Sequence, residues 1–220
     1  MTTAIWIGVG LVVIMTIGVI LHRRRHAERI GKYGSPQKAL LLIDLQEDFI
    51  GTTAKGPFPY KDSDRLVEVA NKVIAEAAKR NMLVVYVRQE FDGLCAKMVT
   101  RLLLGKVAVK GTPGAEIDKR IAIVSPHVFT KPEGNAFSNP KLEPFLEEHE
   151  VDELYLVGLD AAFCVDITAN AGIERGYGVT IITDATVTRF EEKWAARLKK
   201  YGERGIRTVL SEEFVKNRVV

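Results

Sequence analysis

Three side chains in this 220-residue chain stand where reactive groups gather in open parallel α/β sheets, at the carboxyl ends of strand-like runs. Asp44 closes the apolar run ALLLIDL, where a carboxylate among apolar neighbours costs free energy unless a donor or a cation partners it. Lys131 ends the run VFTK, and Cys164 follows LYLVG after a tight segment, in the first turn of an expected helix. The positive field of a helix N-terminus, joined by a nearby ammonium, lowers a thiol pKa by about one to several units. On that reading Cys164 carries a thiolate at neutral pH. Taken singly, each residue also has an ordinary reading: the Asp as a cap or turn former, the Lys as a solvated charge, the Cys as buried packing.

The elements that must position these groups alternate along the chain. Strand-like runs fall at residues 39–45, 83–88, 128–131, 153–158, 179–183 and 207–210, with helical stretches at 64–80, 141–148, 163–175 and 190–201. Runs such as ALLLIDL and LYLVGL are apolar without alternation, as strands buried on both faces must be. Strands interleaved with helices imply right-handed crossovers that cover both faces of the sheet, hence a three-layer α/β/α domain with a mostly parallel, Rossmann-like sheet. Residues 91–123 are less regular, with a helical piece over 94–104 and a loop shaped by Thr112-Pro113-Gly114.

Ahead of this domain, residues 4–21 (AIWIGVGLVVIMTIGVIL) contain no charge, and at about 1.5 Å per residue they nearly span a hydrocarbon core of about 30 Å. Basic residues follow the run, in His22-Arg23-Arg24-Arg25-His26, and no small-residue cleavage site precedes them, which reads as an anchor rather than a cleaved signal. The positive-inside rule then puts the arginines and the globular domain in the cytoplasm. The expected organisation is an anchor over 1–26, a linker over 27–38 and one domain over 39–220, in a single-pass protein of the cell membrane with room for a membrane-protein partner. The formal net charge of +3 includes that arginine cluster and gives no footprint for nucleic acid. Two cysteines, Cys95 and Cys164, are too few for a disulfide framework and suit a reducing compartment; Cys95 reads as packing.

From residue 39 to 187 the chain resembles the isochorismatase-like cysteine hydrolases, which include nicotinamidases, N-carbamoyl amidases and ureidoacrylate amidohydrolases. The resemblance runs through ALLLIDLQEDF, KGTPGAEI, TKPEGNAFSNPKLEPFL, VGLDAAFCV and RGYGVTIITDA. It implies a triad of Asp44, Lys131 and Cys164, in which the sulfur attacks an amide-type carbonyl, Asp44 shuttles the proton and Lys131 stabilises the charges. It also implies an oxyanion hole from the backbone N–H groups of Asp160 and Cys164, a non-proline cis bond between Leu159 and Asp160, and a homo-oligomer.

The chain departs from the family where Ala161-Ala162 replaces a frequent Thr-Asp and Asp160 replaces Ala, which rearranges the polar groups around the nucleophile. Nicotinamidases of the family bind a divalent metal through an Asp and histidines early in the domain, but residues 49–93 hold no histidine. No metal and no cofactor are expected, with His127 assigned to the strand leading to Lys131 and His149 to a helix end. Phe49, Phe137 and Phe163 flank the triad motifs, either as walls of an apolar substrate pocket or as core aromatics. The expected function is cysteine-dependent hydrolysis of a C–N bond in a small amide, carbamoyl or ureido compound at the cytoplasmic membrane face. Vinyl ether hydrolysis of the isochorismate type is disfavoured by Cys164, since relatives with that chemistry generally lack the cysteine. A reading from another class is a non-catalytic binding or assembly subunit of a membrane complex.

Overall fold

The computed structural model describes residues 30–52, 54, 60–93, 107–190 and 194–216. Residues 4–21, the arginine cluster, Cys95 and the helix expected over 94–104 lie outside them. Among the described residues no helix is long and apolar enough to cross a membrane.

Six strands, β1 (Gln37–Ile43), β2 (Leu83–Gln89), β3 (Val128–Lys131), β4 (Val151–Leu159), β5 (Gly178–Val187) and β6 (Arg207–Val209), form one sheet in the order β3-β2-β1-β4-β5-β6. Every pairing is parallel. The helices are α1 (Glu47–Ile50), α2 (Ser63–Lys79), α3 (Leu142–Glu148), α4 (Cys164–Glu174), α5 (Trp194–Glu203) and α6 (Ser211–Lys216).

Alternation along β1 feeds both core layers. Leu40 and Leu42 pack with Leu66, Val73 and Ile74 of α2 and Phe214 of α6. Ala39, Leu41 and Ile43 pack with Leu142 and Leu146 of α3, Val165 and Ala169 of α4, and Tyr201 of α5. Each buried leucine of β1 contributes on the order of 2 kcal/mol through apolar surface withdrawn from water. The three-layer α/β/α arrangement follows, with helices on both faces of an entirely parallel sheet.

The chain moves outward from β1 to β2 and β3, then returns to the other side of β1 for β4, β5 and β6. The direction of winding reverses between β1 and β4, and in such sheets ligands bind beyond the carboxyl ends of the strands at that reversal. At that reversal Gly158 adopts φ +115°, and a Cβ there would lie 2.0 Å from the Ile43 carbonyl oxygen. Only glycine fits, and the β4–β5 register shifts at the same place, between Leu156 and Gly158.

Several boundaries differ from the sequence reading. β1 begins at Gln37, inside the stretch taken as linker, because Gln37 and Lys38 pair with Val151 and Glu153. β5 continues to Val187, the register shift letting Thr186 and Val187 pair with Gly158 and Leu159. The short helices α1 and α6 were not anticipated.

Candidate active site

Asp44 is the first residue past β1, in a left-handed conformation (φ 58°), and its N–H donates to Val87 O at 2.9 Å. Its carboxylate Oδ2 lies 3.0 Å from Lys131 Nζ, and both side chains are buried. Lys131 reaches it from β3, at the sheet edge, two strand spacings or about 9–10 Å from β1. Only a long side chain laid across the end of β2 covers that distance.

Gln89, the last residue of β2, holds the lysine in transit: its Oε1 accepts from Lys131 Nζ at 2.7 Å and its Nε2 donates to Lys131 O at 3.0 Å. Gln46 in turn fixes Gln89, accepting from its N–H at 2.7 Å and donating to its carbonyl at 2.9 Å and to Ala115 O at 2.8 Å. These two buried amides went unread in the sequence. The available signal was Gln46 two residues after Asp44, and Gln89 at a strand end beside the site. The ammonium also lies 3.2 Å from Glu133 O and 3.4 Å from Cys164 Sγ, so its three protons are shared among four acceptors.

Cys164 opens α4, and its sulfur faces the lysine. Burial pushes the thiol up to about 12; the Asp44 carboxylate pushes the same way, and Lys131 only partly opposes them. This corrects the expectation of a thiolate at neutral pH: the helix terminus and the ammonium are both present, but desolvation and a neighbouring anion outweigh them. Burial likewise raises the Asp44 carboxyl, against the pull of Lys131. For Lys131, burial works against the charge, but Asp44 and Cys164 together hold the ammonium above its usual range. Burial thus raises the proton affinity of Asp44, the base beside the Cys164 thiol, while Lys131 is held charged between them. Asp44 Oδ1 is buried and has no hydrogen-bond partner among the described residues.

The backbone between β4 and α4 supplies donors. Leu159–Asp160 is a cis peptide bond. Within the turn, Phe163 N–H and Val165 N–H donate to Asp160 O at 2.9 and 3.1 Å, and Ala161 N–H donates to Val187 O at 2.9 Å. The N–H groups of Asp160 and Cys164 find no acceptor among the described residues. Gly134 lies over the sulfur, where a Cβ would stand 3.9 Å from Sγ and 3.2 Å from Ile167 Cδ1.

The three phenylalanines separate. Phe49 is buried in the core layer beneath α2. Phe137 is buried in the opposite layer, its ring stacked on Tyr177 at 5.9 Å with the Arg175 guanidinium over it at 4.5 Å. Phe163, directly before the cysteine, is 47% exposed with its ring edge against Phe190. The histidines pack around Phe145, His127 at 4.8 Å and His149 at 4.4 Å between centroids. Among the described residues no three His, Cys, Asp or Glu side chains converge as metal ligands.

The isochorismatase domain family matches residues 38–213. The nicotinamidase of Escherichia coli is 28% identical over 184 residues, covering 68% of this chain and 82% of that one. The N-carbamoylsarcosine amidase of an Arthrobacter species is 28% identical over 166 residues, covering 72% of this chain and 61% of that one. Among solved structures, the N-carbamoylsarcosine amidase of Thermoplasma acidophilum superposes with a TM-score of 0.69 at 25% identity, covering 80% of this chain and 98% of that chain. With a domain match over most of its length, and a cysteine, a lysine and an aspartate gathered at the switch point of the sheet, the chain belongs to the isochorismatase-like cysteine hydrolases.

Proposed function

We propose that this hydrolase cleaves the C–N bond of a small amide, carbamoyl or ureido compound through a thioester on Cys164. The observation that carries the reading is the cluster of buried Asp44 and Lys131 with half-buried Cys164, beside two backbone N–H groups without acceptors among the described residues. As the sulfur attacks the substrate carbonyl, its proton passes to Asp44, and the oxygen becomes an anion facing the N–H groups of Asp160 and Cys164. Asp44 then gives the proton to the departing nitrogen, leaving an acyl-thioester and a free amine or ammonia. Water attacks the thioester, Asp44 takes its proton, and the sulfur leaves and is reprotonated as the acid departs. Lys131 keeps its charge throughout and offsets the anion, whether it rests on Asp44 or on sulfur.

The family names among the relatives, a nicotinamidase and N-carbamoylsarcosine amidases, support an amide-type substrate. Action at the cytoplasmic face of the cell membrane rests on the uncharged run at residues 4–21 and the arginines after it. A homo-oligomer rests on the family resemblance alone. Full-length protein in detergent is to be given a panel of small amides, carbamoyl and ureido compounds while ammonia release is followed. Turnover of at least one compound, abolished in Cys164→Ala, supports the reading. A folded protein whose Cys164 reacts with iodoacetamide but which releases no ammonia from any of them points to the binding subunit instead.

A further inference from the structure

We propose that the Asp160 side chain is a clamp that positions the oxyanion turn, so that the N–H groups of Asp160 and Cys164 face one point. The inference rests on the amidohydrolase reading and adds a role that the backbone N–H of Asp160 does not itself require. An acid at this position is otherwise costly, since its carboxylate is buried, at 4% exposure.

Four donors from three separate segments converge on it. Oδ1 accepts from Ala162 N–H at 2.6 Å and Thr188 Oγ1 at 2.8 Å; Oδ2 accepts from Tyr60 OH at 3.1 Å and Arg189 N–H at 3.2 Å. The first bond closes the turn on itself, and the others tie it to the exit of β5 and to the chain entering α2. Tyr201 OH, from α5, adds a bond of 2.8 Å to Ala161 O. The turn is therefore held from several sides while the N–H groups of Asp160 and Cys164 have no acceptor among the described residues. Preorganised donors serve catalysis in proportion to how well they are fixed before the charge develops.

Two probes separate this role from a general structural one. Acylation of Cys164 by p-nitrophenyl acetate passes through a tetrahedral oxyanion; alkylation by iodoacetamide is displacement at a saturated carbon and makes none. Full-length wild type, Asp160→Asn, Tyr60→Phe and Thr188→Val are compared in detergent, with Cys164→Ala as background and peptide mass spectrometry assigning the modified cysteine. In Asp160→Asn the amide nitrogen faces the Arg189 N–H, and acylation should fall by about ten- to a hundredfold, the scale of a small misplacement of catalytic groups. Tyr60→Phe removes the bond to Asp160 Oδ2, and Thr188→Val removes the bond to Asp160 Oδ1 together with the one Thr188 Oγ1 accepts from Phe190 N–H; acylation should fall by about fivefold or more in each. Alkylation should stay within about twofold of wild type in all three, as the sulfur's own surroundings are kept. Acylation unchanged or faster in the variants, or both reactions falling together, overturns the clamp and leaves the amidohydrolase reading standing. A wild type that is alkylated at Cys164 but never acylated removes that reading and the clamp with it.

Discussion

Replacing Asp44 by Asn should move two reactions of Cys164 in opposite directions. In the wild type burial and the Asp44 carboxylate push the thiol up to about 12, so near pH 8 the thiolate is a small minority. After burial, the Asp44 carboxylate is the largest cause of that rise, and Lys131 is the opposing charge. Asn keeps the shape and removes the anion, so the ammonium 3.4 Å from Sγ is left to act on the sulfur alone. Each unit by which the thiol pKa then falls raises the thiolate fraction, and with it the iodoacetamide rate near pH 8, about tenfold. Hydrolysis moves the other way: without Asp44 no group accepts the thiol proton or returns it to the leaving nitrogen, a loss on the order of 10²- to 10⁴-fold. The assay is alkylation of Cys164 against pH, followed by peptide mass spectrometry, beside ammonia release from whichever substrate the panel identifies. If alkylation of a folded Asp44→Asn protein slows together with turnover, Asp44 activates the sulfur rather than restraining it, and the electrostatic account of the resting site is wrong.

Lys131→Met should destabilise the fold by about 3–5 kcal/mol near pH 8, since Asp44 is left buried without its cation. The Asp44 carboxyl is already raised in the folded protein, and losing the ammonium raises it further, so the folded variant holds a proton that the unfolded chain releases above 3.8. Urea denaturation should therefore show a deficit relative to wild type that widens as pH climbs above the raised wild-type pKa of Asp44 and levels off above the still higher pKa of the variant; a deficit independent of pH contradicts the pairing. Gly158→Ala would set a Cβ against the Ile43 carbonyl at 2.0 Å in a backbone conformation closed to most side chains, and a loss of about 3 kcal/mol or more is expected. A urea midpoint equal to wild type would mean that the β4 bulge relaxes freely.

The central strands were legible because burial on both faces leaves little choice of residue. ALLLIDL and LYLVGL admit no alternation, and β1 and β4 lie where those runs stand. Asp44, Lys131 and Cys164 could be singled out because charge and sulfur are conspicuous beside apolar strand ends. Gln46 and Gln89 are equally buried but neutral, and a lone glutamine in sequence looks like any surface residue. α1 has four residues, too few for a helical period to show. The end of β5 passes through Thr183 and Asp184, which break the apolar run although the pairing goes on. The thiol was misjudged for a different reason: the helix terminus is written in the local sequence, whereas desolvation and the approach of Asp44 belong to the assembled site.

Lys131 sits at the margin of the sheet, on a strand of four residues paired on one side only, while Asp44 and Cys164 follow the two innermost strands. Margins of a sheet open at lower free energy than its middle. Fraying of β3 would carry the ammonium away from the site with the rest of the sheet intact, leaving the Asp44 carboxyl and the Cys164 thiol side by side without their cation. The working temperature range of the site is thus set by the holding power of β2 and Gln89 over one short strand, and warming should silence the chemistry while the core around β1 and β4 remains folded.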